Sequence, residues 1–113
     1  MITGKAWGKT SKIVSNPAFE LHRILAKKGG KCSRHRHLTK FNGFLVLSGL
    51  LAINVWKDDQ NLVDRTLLGP GEYTEVKPPE YHQFEALEDS EALEIYWSQF
   101  DPNDIERDLE GGK

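Results

Sequence analysis

His35 and His37 stand two residues apart in the run Gly30-Lys31-Cys32-Ser33-Arg34-His35-Arg36-His37, and His82 follows some 45 residues later. In an extended strand, residues i and i+2 project from the same face, so both imidazoles point into one space. A third imidazole from a distant strand completes a three-nitrogen set that binds a transition metal and leaves positions open for a substrate. The pattern points to metal-dependent chemistry without naming a reaction. The plain alternative is a pair of exposed strand histidines with ordinary hydrogen bonds. Cys32 would be a good soft ligand, but its odd separation from His35 places it on the other face of a strand, so a buried or turn cysteine is expected. Arg34 and Arg36 share that opposite parity and are expected at the surface or in a subunit contact.

The elements that must position these residues read as strands punctuated by turns. Residues 19–25 alternate as a strand with one buried face, and Gly29-Gly30 breaks it. An apolar run over 42–47 closes at Ser48-Gly49. A second, over 50–56, ends at a turn over 57–61, and a strand over 62–68 stops at Gly69-Pro70-Gly71. Strands over 73–76, 82–87 and 92–97 complete the series, with Pro78-Pro79 interrupting the ladder before His82. Seven or eight short strands at this spacing indicate an antiparallel sandwich or barrel. The tail from 101 to 113 starts with a plausible cap and first turn, so a short helix or an ordered extension is expected there.

At 113 residues the expectation is one domain, with the barrel over about 19–98. No apolar stretch approaches the ~20 residues of a membrane span, so no membrane association is expected. A single cysteine cannot form an internal disulfide, and the first residues lack the apolar core of a secretory signal; the cytoplasm is the expected compartment. Charge is uneven: residues 1–40 carry ten basic side chains against the single acid Glu20, and the remainder is acidic. No nucleic-acid motif accompanies the basic part, and a compact barrel brings the two halves together, so no nucleic-acid partner is expected.

These motifs resemble the cupins. That family's first motif has a glycine, His-x-His, a carboxylate and a closing glycine, and Gly30, His35, His37 and Gly49 match it. The second motif has a glycine followed by a Pro-x-Gly-x-x-His segment, and Gly71 leading to Lys77-Pro78-Pro79-Glu80-Tyr81-His82 is similar to it. The resemblance implies an all-β, double-stranded β-helix (jelly-roll) barrel with a short C-terminal extension. It also implies a divalent transition metal (iron, zinc, manganese or nickel) inside the barrel, and often a homodimer. The small core and the aromatic segment around Trp7 agree with a dimer. The chain departs from the family at Asn42, which stands where glutamate is usual, seven residues before Gly49. Asn42 is a weak fourth ligand, a hydrogen-bonding support or a strand-start residue. Without the carboxylate, a bound ion keeps more positive charge and favours an anionic substrate.

Among the remaining candidates, His22 falls outside the motif and is read as structural. Lys31 and Lys40 lie in turns from which a bound anion is within reach. Tyr81 and Gln83 point away from His82 by parity. Glu94 and Tyr96 share one face of the last strand, opposite Leu93, Ile95 and Trp97. If their face is inward they are candidate acid–base groups. Burial of the apolar face is the favoured reading, because an unpaired buried carboxylate is costly. The resemblance to mannose-6-phosphate isomerase-like cupins implies a metal-dependent isomerase acting on a small polar or anionic substrate such as a sugar phosphate. The alternatives are a three-histidine iron dioxygenase and a non-catalytic module that binds or senses a small ligand.

Overall fold

The computed structural model describes residues 2–57, 62–98 and 101–113. Nine strands are present among them: β1 (Ile2–Lys5), β2 (Gly8–Asn16), β3 (Phe19–Ala26), β4 (Phe41–Ser48), β5 (Leu51–Lys57), β6 (Leu62–Leu68), β7 (Tyr73–Val76), β8 (Tyr81–Ala86) and β9 (Ser90–Trp97). All pair antiparallel, in a six-stranded sheet of order β1-β2-β3-β9-β4-β7 and a three-stranded sheet of order β6-β5-β8. The fold is the all-β jelly-roll barrel that the sequence leads one to expect. The turn read over 57–61 falls on residues 58–61, outside the described residues.

Period-2 alternation decides what the barrel encloses. Ile24 and Ala26 of β3, Phe44 and Val46 of β4, Leu51 and Ile53 of β5, and Phe84 and Ala86 of β8 are buried, with Leu68, Val76 and Ala92 completing the core. The same inward parity continues along these strands into polar residues: His22, Asn42, His82 and Glu94. One end of the barrel is filled with hydrocarbon and the other is lined with groups that can do chemistry.

Two strands were not expected. β1 and β2 are polar, rich in Gly, Lys and Ser, and largely exposed, so they carry no burial pattern to read. They are nevertheless anchored. Between them Trp7 packs edge-on against Phe84, with ring centroids 4.8 Å apart, and its carbonyl accepts from Lys27 N–H at 2.9 Å. Trp7 therefore serves this chain's own core. The tail differs in the other direction: residues 101–113 form no helix and are exposed throughout. Asp101 does make a local turn, accepting from Asn103 N–H at 2.9 Å. A turn with no apolar face to bury does not propagate.

The corner between β4 and β5 is tight. Gly49 has φ +92° there, and a Cβ would collide with the Asp89 carbonyl and the Ser90 side chain. Ser90 Oγ is occupied in turn, accepting from Leu50 N–H at 3.0 Å. Gly49→Ala should therefore lower stability by about 1–3 kcal/mol, the cost of forcing an L side chain into this backbone region. A urea melt checks this, and an unchanged midpoint would show that the corner relaxes freely.

Candidate metal centre

The segment between β3 and β4 is extended but joins the small sheet only through isolated bridges, Lys31 opposite Glu85 and His35 opposite His82. At the second bridge, His35 N–H donates to the His82 carbonyl (3.0 Å) and His82 N–H donates to the His35 carbonyl (2.8 Å). Directly opposed residues project to one face, so this pair turns both imidazoles inward, and His37 follows two residues on. Ring centroids lie 4.6 Å apart for His35–His82, 5.2 Å for His35–His37 and 5.4 Å for His37–His82. One nitrogen from each ring falls within 4.8 Å of the others.

The protonation pattern follows from the neighbours. His82 is 1% exposed and its Nδ1 donates to the Glu80 carbonyl at 3.0 Å, which leaves a lone pair on Nε2. That Nε2 lies 3.0 Å from Asn42 Oδ1. The Asn42 amide is oriented by Nδ2, which donates to the Ile95 carbonyl at 3.3 Å. Asn42 Oδ1 is also an acceptor, so two lone pairs converge in a fully buried place. His35 Nδ1 contacts the Ser33 carbonyl at 2.8 Å, which likewise directs the lone pair to Nε2. His37 Nε2 is buried with no hydrogen-bond partner. Burial, reinforced by His35, His82 and Lys40, pushes the His37 pKa down to about 4, and burial also lowers that of His82. The His37 and His82 rings are therefore held neutral near pH 7, the form in which imidazole binds a metal. Converging lone pairs and an orphaned buried nitrogen are what a cation would satisfy; the donor set fits a divalent transition ion.

β9 contributes the residues that the sequence reading placed on the wrong side. Glu94 is 8% exposed and faces inward, while Leu93, Ile95 and Trp97 are half-buried on the outer face. The expectation that those three fill the barrel is therefore corrected. It assumed that β9 has one buried and one solvated face. In fact β9 lies between β3 and β4 at the middle of the large sheet, with Ala92 and Ser90 already inward, and both of its faces carry little charge. Burial raises the Glu94 pKa, with hydrogen bonds from Tyr96 and Asn42 opposing the rise. Tyr96 is raised by burial and by Glu94, so it keeps its phenolic proton. Its ring meets His37 edge-on at 5.2 Å.

His22, read from sequence as structural, sits on the same wall. It pairs across the sheet with Glu94, and its ring meets Tyr96 edge-on at 5.6 Å. Its signal was in the register: the partner of Glu94 on β3 shares its face. Glu94, Tyr96, His22, His35 and Cys32 line a cavity of about 410 Å³, whose mouth is walled by Lys5, Trp7 and Thr10 from the N-terminal hairpin. Cys32 stays outside the histidine cluster; its sulfur accepts from Phe84 N–H at 3.1 Å, and burial pushes its thiol up to about 11. Arg34 and Arg36 turn outward and stack over Trp56 and Tyr81, at 4.3 and 4.9 Å. Lys31 lies near Glu85, 3.9 Å away, whereas Lys40 lies 5.5 Å from the Tyr96 ring centroid at the edge of the site.

No protein-family model and no curated protein matches this chain. Solved structures do. KdgF from Halomonas sp. superposes with a TM-score of 0.75 at 16% identity, over 89% of this chain and 88% of its own. An RmlC-like cupin from Shewanella frigidimarina gives 0.72 at 18%, covering 88% and 84%. Oxalate decarboxylase from Bacillus subtilis, described with Mn(II) centres, gives 0.76 at 15% over 91% of this chain, which spans only 29% of that protein. At these identities the likeness speaks for architecture. Its agreement with the two antiparallel sheets and the inward-facing histidines leads to one conclusion: this chain has the cupin fold.

Proposed function

We propose that the protein is a metal-dependent catalyst of proton transfer on a small, polar, anionic substrate such as a sugar phosphate, with His35, His37, His82 and Asn42 holding one divalent transition ion. The observation that carries this reading is the buried, partnerless Nε2 of His37 set among two further imidazoles, with the buried carboxyl of Glu94 on the cavity that His35 also lines. Among the neighbours by fold, a protein described with Mn(II) centres acts on oxalate, itself a small anion, and this supports the class.

When bound, such an ion polarises a carbonyl oxygen and stabilises the charge that develops on it. The rest falls to the chain. Four neutral donors leave the ion's charge uncompensated, which favours an anionic substrate, and Lys5 adds positive charge at the cavity mouth. Glu94 is the proton carrier. Its burial brings its pKa towards the working range of a general base, where an ordinary carboxylate is too weak. Its carboxylate takes a proton from the carbon beside the substrate carbonyl and returns it to the former carbonyl carbon, while Tyr96 holds the carboxyl in place. In an aldose–ketose exchange of this kind the hydroxyl proton moves between the two oxygens, so nothing is oxidised overall. The single thiol, held protonated by burial, suits a reducing compartment such as the cytoplasm.

Elemental analysis of the purified protein is expected to find close to one iron, zinc, manganese or nickel ion per chain, and a His35→Ala/His82→Ala double variant to lose it. A wild-type protein that stays metal-free after reconstitution would refute the centre. Turnover of a sugar-phosphate panel should fall about a hundred- to ten-thousand-fold in Glu94→Gln, the range removed with a general base, at unchanged metal content. Equal turnover in that variant would remove Glu94 from the chemistry. Oxygen uptake by the iron-loaded protein on chelating acids, with no isomerised product, would replace the reading with a dioxygenase. Ligand-induced thermal stabilisation without any product would leave a binding module.

A further inference from the structure

The parity that turns His35 and His82 inward turns their neighbours outward. Arg34 and Arg36 therefore emerge together on the outer side of the small sheet, and Tyr81, the residue before His82, emerges beside them. Trp56 pairs with Tyr81 across the β5–β8 ladder and shares that face. The Arg34 guanidinium lies 4.3 Å from the Trp56 ring centre and 5.5 Å from that of Tyr81, and the Arg36 guanidinium lies 4.9 Å from Tyr81. With Pro79 and Glu80, these four side chains line a pocket of about 220 Å³, back to back with the histidine cluster.

Stacking occupies the flat face of a guanidinium and leaves its N–H groups, which lie in the plane, directed past the ring edge. It also orders the side chain before any ligand arrives, which lowers the cost of binding. The other charges around the pocket are matched. Glu80, the carboxylate on its wall, is held by Lys57 at 2.6 Å, and Lys57 reaches Asp64 at 3.6 Å. Glu85 is shared by Arg65 at 3.1 Å and Lys31 at 3.9 Å. Among the described residues, the guanidinium groups of Arg34 and Arg36 have no carboxylate partner, and one tyrosine ring holds both cations close enough to repel.

Two forks and two positive charges beside one ring suit an oxyanion with several oxygens and more than one charge. A phosphoryl group offers three terminal oxygens and about −1.5 to −2 charge at pH 7. A carboxylate fills one fork and balances one cation. At about 220 Å³ the pocket is smaller than the ~300 Å³ at which sites for whole organic ligands begin. It takes the phosphoryl end of a ligand and leaves the remainder in solvent. We propose that Arg34 and Arg36, stacked on Trp56 and Tyr81, form a second binding site for a phosphoryl group, carried as free phosphate or as a small phosphate monoester, on the face opposite the metal centre.

The test is a titration of the full chain with inorganic phosphate at constant ionic strength and about pH 7, followed by the arginine Nε–H and tryptophan indole NMR signals. The Arg34, Arg36 and Trp56 signals should move together and saturate with a Kd below about 1 mM. Glycerol phosphate in a parallel titration separates the two sources, a monoester binding more tightly than the free ion or the reverse. Acetate, with a single charge, should bind about tenfold or more weakly. Arg34→Lys and Arg36→Lys keep the charge and lose the fork, so each should raise the phosphate Kd about threefold or more with unchanged circular dichroism. Failure of both phosphates to saturate overturns the proposal, and so does acetate or either lysine variant matching wild-type phosphate binding. Movement of the Trp7 indole signal in place of that of Trp56 would put the anion in the metal cavity and overturn it too. Should a lysine variant fail to fold, the wild-type comparison of phosphate with acetate still decides.

Discussion

The pair of backbone hydrogen bonds between His35 and His82 is the constraint on which the site depends. The segment carrying His35 and His37 has no ladder of its own, and it meets the barrel through two isolated bridges. Because His35 and His82 exchange both N–H groups, their Cβ atoms must emerge on the same side. That single register brings together two residues 47 positions apart in the chain. A slip of one residue would turn Arg34 and Arg36 into the barrel and both imidazoles out to solvent. The arginines resist such a slip from the other face, since each is stacked on an aromatic ring of the neighbouring strands.

Bringing polar groups inside a barrel is costly unless each is paired. Here the pairing is nearly complete and its exceptions are informative. His82 and Asn42 are fully satisfied on one side and converge as acceptors on the other; His37 is left with nothing. A domain of this size can carry that cost because the other end of the same strands is dense hydrocarbon, with Phe44, Val46, Leu51 and Ala92 fully buried. Each strand β3, β4, β8 and β9 thus contributes both its share of the core and its share of the site, and its rigidity comes from the first.

Much of this was legible in the chain before any coordinates. The two-residue spacing of His35 and His37 gave their common face, and the turn residues gave most of the strands. What local reading could not supply was partnership across the sheet. Parity puts Glu94 and Tyr96 on one face but does not say which face is inward, and burial of the larger apolar area predicts the direction only for a strand with a single buried face, which β9 at the middle of its sheet is not. His22 needed the same missing fact, its register with Glu94. β1 and β2 left no signal because they form an exposed hairpin at one end of the large sheet, held by Trp7 and by the pairing of β2 with β3 instead of by their own burial. The capping residues after 100 were real, but capping starts a helix that burial must sustain.

β9 connects these observations. Its inward side needs Glu94 buried and partly desolvated, and that is possible only if the strand lies well inside a sheet with neighbours on both edges. Such a strand has a second face that is also far from the sheet margin, and Leu93, Ile95 and Trp97 lie there at the centre of an apolar surface. Pairing with β3 and β4 along both edges fixes the backbone that carries Glu94 relative to the histidines. Hydrocarbon on the outer side of β9 and a buried carboxyl on its inner side thus follow from one placement, a central strand paired on both edges.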